Sequence, residues 1–181
     1  MGSRVNGPAI VGAVALIVAG WLLWLTLQKD DDKLVTLDTA RVVNKAGGYS
    51  ILVPEGLTAR KSGKVTRIRD KARTVVITIT PTTGGAPATT NTRVLAQVGS
   101  TYRTVDLLRS QKQKVDGRPA VASYGRATTT KGVKLRFVLI TVKGSGRNFA
   151  LSTFAAADSD PGTVLPRVRA VANGFHVLRA R

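Results

Sequence analysis

Residues 8–27 read PAIVGAVALIVAGWLLWLTL, an uncharged apolar run in which Thr26 is the one strongly polar side chain. A helix rises about 1.5 Å per residue, so this length matches the roughly 30 Å hydrocarbon core of a bilayer. Trp21 and Trp24 lie near its end, where indole rings favour the headgroup level, and Gln28-Lys29-Asp30-Asp31-Asp32-Lys33 stops it abruptly. The exit residues Leu25, Thr26, Leu27 and Gln28 suit a signal peptidase poorly, and the chain has no cysteine to carry a lipid. The run predicts an uncleaved transmembrane signal anchor at 8–27. That leaves 1–7 as a short N-terminal tail, 28–43 as a charged stalk and 44–181 as one domain of ordinary size.

Orientation rests on the flanks. Arg4 and the amine lie on one side, Lys29 and Lys33 on the other, a count that slightly favours a cytoplasmic domain. Long domains translocate largely regardless of charge, and a short tail followed at once by a helix is the usual N-in, C-out arrangement. The expectation is a single-pass protein of the cell membrane with its C-terminal domain extracytoplasmic.

Lys and Arg number 28 against 10 Asp and Glu, a formal charge of +18. Such an excess attracts polyanions: anionic lipid, anionic wall polymer, nucleic acid or an acidic protein. The absence of cysteine removes thiol nucleophiles and zinc–cysteine sites, and a single histidine, His176, removes histidine metal cages. Neither a metal nor a cofactor is expected.

Along the domain, Gly47 to Leu57 reads as a strand with Tyr49, Ile51 and Val53 on one face, closed by a turn at Pro54-Glu55-Gly56. Lys64 to Asp70 alternates, and Arg73 to Thr80 is β-branched almost throughout. Pro81 to Thr90 reads as a loop, after which Thr90 or Asn91 caps a helix carrying Val94, Leu95, Val98 and Tyr102. Val105 to Val115 and Arg118 to Ala127 flank Asp116-Gly117, a strong hairpin signal. A second hairpin, Val133 to Lys143 and Asn148 to Ala155, turns at Gly144-Ser145-Gly146. A last helix is capped by Asp158 or Asp160, starts at Pro161 and stops near Gly174, with Arg167 and Arg169 turned away from its apolar face. Phe175, His176 and Val177 follow as a short strand. The order predicts an α+β fold, a single antiparallel β-sheet sandwiched with helices.

In sequence, GYSILVPEGL, VDGRPAVASYGR, FALSTFAAA and VANGFHV are similar to the PsbP-like family of α/β/α sandwiches. That group includes actinobacterial surface lipoproteins of the LpqN and LpqT kind and the Mog family of Ran-binding proteins. The resemblance runs from Gly48 to Leu178. It implies a non-catalytic binding or assembly factor and transfers no active-site residues. This chain departs from the lipoproteins in having a helix where they carry a lipidated cysteine.

Catalytic patterns are missing. There is no phosphate-cradling Gly-x-x-x-x-Gly-Lys-[Ser/Thr] run, no Gly-x-Ser-x-Gly elbow and no Ser-x-x-Lys pair. Glu55, the one glutamate, sits in a turn, and His176 beside Phe175 reads as structural. The candidate site is basic. Arg67, Arg69, Lys71 and Arg73 have period two, and Lys112 with Lys114, and Lys134 with Arg136, repeat the motif on neighbouring hairpins. Together they predict a positive sheet face for an anionic partner, although the solvated face of an antiparallel sheet gives the same pattern. Nucleic acid fits poorly, because little aromatic surface interleaves the cations. The functional expectation is a module docking on an envelope protein complex, with anionic-lipid or cell-wall-polymer binding as the alternative.

Overall fold

A computed structural model describes residues 40–178. The anchor at 8–27 and most of the stalk lie outside the described residues. Among the described residues, no helix is long and apolar enough to cross a membrane. Residues that the boundary at 43 assigned to the stalk are paired in a sheet. Strand β1 (Ala40–Asn44) pairs antiparallel with β2 (Tyr49–Val53), matching Asn44 to Tyr49 and Ala40 to Val53. Residues 40–43 therefore belong to the fold.

The other strands are β3 (Leu57–Ser62), β4 (Val65–Asp70), β5 (Val75–Thr83), β6 (Thr104–Val115), β7 (Arg118–Thr128), β8 (Lys134–Lys143), β9 (Arg147–Ala156) and β10 (His176–Val177). Helix α1 spans Pro87–Thr101 and α2 spans Pro161–Asn173. The expected single sheet is two. Seven strands run in the order β3-β4-β5-β9-β8-β7-β6, and three form a separate sheet, β1-β2-β10. The strand opening with Tyr49 joins the smaller sheet because its partners are the segment before it and the last strand, not β3.

These sheets and helices make three layers. The smaller sheet and α2 cover one face of the large sheet. Between them lies the main core, where Tyr49, Phe149 and Phe175 meet with ring centroids 5.4–5.7 Å apart. Helix α1 covers part of the other face, over Phe137, Leu139 and Ala150, with Tyr102 stacked on Phe154. Each strand's alternation thus divides between two apolar layers, so the central strands are buried on both sides.

Sequence signals succeed where chemistry is local. Asp116 (φ 53°) and Gly117 (φ 67°) form the tight β6–β7 turn, which needs positive φ at both positions. Asp160 caps α2, its carboxylate accepting from Gly162 N–H and Thr163 Oγ1, both at 2.9 Å. Gly174 ends that helix for a reason other than backbone freedom. Its φ is −83°, but a Cβ there would stand 2.5 Å from the Cβ of Leu52.

Tertiary contacts override the pattern elsewhere. The loop expected from Pro81 is still strand to Thr83; β4 partners β5 only as far as Ile79, so Pro81 lies where β5 has a neighbour, β9, on one side only. Helix α1 begins at Pro87, and Thr90 and Asn91 are buried inside it rather than capping it. Asn91 accepts from Ser123 Oγ (2.6 Å) and donates to Thr141 Oγ1 (3.1 Å), pinning α1 to β7 and β8. Arg167 turns inward to buried Asp70, with Nη1 3.0 Å from Oδ2.

Candidate anion-binding site

Strand β4 sends Thr66, Ile68 and Asp70 toward the main core, which leaves Val65, Arg67 and Arg69 on the α1 side of the sheet. The helix makes its main contacts with β8, β7 and β9, so the β3–β4 end of this face lies beyond it. Arg67 sits directly opposite Arg60 of β3 on one side and Thr78 of β5 on the other, and Thr78 is opposite Ser152 of β9. A row runs across four strands: Arg60, Arg67, Thr78, Ser152. The neighbouring row is Thr58, Arg69, Val76, Phe154, polar on β3 and β4 and apolar on β5 and β9.

Arg60, Arg67 and Arg69 are all half-buried. Desolvation lowers the proton affinity of Arg67 below that of an exposed guanidinium, so its charge is held at a cost. Thr78 is 5 % exposed, and its Oγ1 has no hydrogen-bond partner among the described residues. The guanidiniums of Arg60 and Arg67 lie along one row, planar groups whose N–H donors suit an oxyanion with several acceptor lone pairs, while the Thr78 hydroxyl lies buried beside them.

The rest of the expected stripe disperses. Strand β4 ends at Asp70; Lys71 and Arg73 lie in the following turn, where Arg73 has φ 59° and donates its N–H to Asp70 O at 3.1 Å. Period two stops with the strand, so these two leave the row. Lys112 and Lys114 are on the same face, opposite Val121 and Pro119, but on β6 at the far edge of the sheet. Lys134 and Arg136 lie in phase with core-facing Val138 and so emerge on the other face. Arg60 escaped the sequence reading because β3 was not expected. Its signal was Gly63, whose φ of 54° makes a tight turn between Ser62 and Val65, so that residues before and after it must pair.

His176 is engaged structurally. Its Nδ1 is 2.8 Å from Asp116 Oδ1, while Ser50, its partner across β2, accepts a hydrogen bond from Arg41 Nη1 at 3.2 Å. Among the described residues, no group of three His, Asp or Glu side chains is placed to hold a metal ion.

No family model and no curated protein matches this sequence. Solved structures do. The cyanobacterial PsbP of Synechocystis is 18% identical with a TM-score of 0.61, covering 82% of this chain and 98% of its own. The chain has the PsbP fold. A protein of unknown function from Pseudomonas aeruginosa, PA94, matches at 15% identity and TM-score 0.54 over 82% of this chain and 98% of that one. LpqN of Mycobacterium tuberculosis, described as involved in cell envelope biogenesis, matches at 15% identity and TM-score 0.52 over 72% and 83%. At these identities the likeness is one of PsbP fold, and function has to be argued from the site.

Proposed function

We propose that this chain is a membrane-anchored, extracytoplasmic binding module that docks on a component of the cell envelope and performs no chemistry. The anchor is residues 8–27, whose length and apolarity support a single pass. The fold it shares with LpqN, a protein of cell envelope biogenesis, supports an envelope role.

One observation carries the ligand class: half-buried Arg60 and Arg67 directly opposite each other across β3 and β4, with Arg69 in the next row beside Val76 and Phe154. A phosphate- or carboxylate-bearing envelope component fits the arginines, and the apolar Val76 and Phe154 beside them suit an amphiphile such as an anionic lipid. The test measures binding of the full chain, in neutral nanodiscs, to anionic phospholipid vesicles, to neutral vesicles and to a soluble anionic wall polymer. Binding to anionic vesicles alone identifies lipid, and binding to the polymer identifies wall. Equal binding to neutral vesicles would sink the anion reading. Docking on an envelope protein complex is a second reading, favoured by a different surface, the open edge at β6.

A further inference from the structure

The seven-stranded sheet ends on one side in β6, twelve residues long, with no strand pairing to its outer side among the described residues. Proteins usually blunt such an edge, because its N–H and C=O groups are a template for another strand. Here the blunting is partial. A register shift between Leu107 and Arg109 interrupts the ladder, and Lys112 and Lys114 line the lower half. Yet Leu107 is 52% exposed and Leu108 62%, adjacent and in the N-terminal half of the edge. Leu107 lies across from Gly125, next to the apolar layer of Val105, Ala127 and Phe137 beneath α1, so it extends that layer to the rim. The opposite edge differs. Strand β3 is half as long, and Lys61 Nζ reaches from it to Val43 O of β1 at 3.2 Å.

We infer that β6 is a docking edge for an extended segment of a partner protein, added as an antiparallel strand, with an apolar centre and acidic residues in its N-terminal half. The backbone ladder supplies the general attraction, and side chains set the choice. Antiparallel addition places the partner's N-terminal half against Lys112 and Lys114, and the residues just past its centre against Arg109, Leu108 and Leu107. Charge decides between occupants. Apart from Asp106, every charged residue of β6 is a cation, in a chain of net charge +18. A second copy would bring this positive edge against itself, whereas an acidic strand is complementary. This inference rests on the docking reading above and names the partner's chemistry.

The probe is a synthetic peptide as long as β6, alternating valine and threonine, with two aspartates near its N-terminus; its control carries lysines instead. Binding to the full chain in neutral nanodiscs is read by fluorescence anisotropy and by amide hydrogen exchange. The aspartate peptide should bind, slowing exchange at Thr104–Val115, and the lysine peptide should not. The Lys112→Glu/Lys114→Glu variant should lose on the order of tenfold in affinity for the first and gain the second. Leu108→Asp should weaken the aspartate peptide. The inference is overturned by unchanged affinity in the charge-reversed variant, by no protection of β6, or by protection of β6 through self-association without peptide. Protection confined to β3 and β4 overturns it too, while leaving the anion site standing. Loss of vesicle binding with intact peptide binding removes the anion site and leaves this edge.

Discussion

Asp116 Oδ1 stands 2.8 Å from His176 Nδ1, and Asp116 Oδ2 accepts the Val177 N–H at 2.9 Å, so one carboxylate ties the β6–β7 turn to the last strand. Desolvation pushes the Asp116 carboxyl upward, but the Val177 amide, His176 and Arg118 outweigh it and hold it below its ordinary value of 3.8. A folded-state value below the unfolded one means the tie is complete above about pH 4 and lost as pH falls through the folded value. Asp116→Asn keeps a residue that tolerates the positive φ and removes the charge. It should cost about 1 kcal/mol at neutral pH, given the partial exposure of the pair. Denaturant unfolding at pH 7 and pH 3 checks this: the gap between wild type and variant should narrow in acid, and a constant gap would contradict it.

Asn91 gives a test of how α1 is held. Replacing it with Ala removes both bonds beneath the helix, taking its donor from Thr141 Oγ1 and leaving Ser123 Oγ with Ser110 Oγ alone. The expected loss is roughly 2–3 kcal/mol. A lower urea midpoint with unchanged slope is the signature, because the surface exposed on unfolding stays the same.

The domain boundary can be located by truncation. Removing 1–39 should leave a cooperatively folding unit, whereas removing 1–43 takes most of β1 and Val42 from the core and should lower stability. Ending the chain at Asp158 removes Val168, Val171, Ala172 and Phe175, all buried, and should abolish cooperative melting. Calorimetry on the purified truncations distinguishes the three.

Arg67→Gln/Arg69→Gln should weaken binding to anionic vesicles by on the order of tenfold at low salt, since each cation near an anionic surface contributes about 1 kcal/mol. The deficit should shrink as salt rises and the Debye length falls toward about 8 Å at physiological ionic strength. Lys71→Gln/Arg73→Gln should matter less, because those residues leave the strand. Equal losses from both pairs would mean that net charge, not the row, attracts the anion.

Orientation has its own measurement. Protease added to intact spheroplasts should degrade the domain and spare cytosolic controls. Full protection would place the domain on the other side, as the count of Arg4 against Lys29 and Lys33 favours.

Legibility followed the range of the interactions. Asp116-Gly117 and Asp160-Pro161 announce themselves because a turn or a cap depends on neighbours in sequence. Two sheets could not be separated from one, because alternation in β2 says which side is apolar and nothing about which strand lies alongside. Thr90 and Asn91 look like caps since their side chains bond locally in most settings; here their partners lie on β7, β8 and β9. Arg67 and Arg69 were visible as a pair. Arg60 and Thr78 joined them only through register, and Arg73 dropped out because one residue with positive φ ends the alternation.

The sheet order itself sets a geometry for attachment. Strands β4 and β6 are five steps apart, about 24 Å at roughly 4.8 Å per step. Two occupants of that separation need not collide, so an anionic surface at one rim and a protein strand at the other could be held at once. With both proposed grips occupied, each would raise the local concentration of the other, and modest affinities would multiply into firm retention.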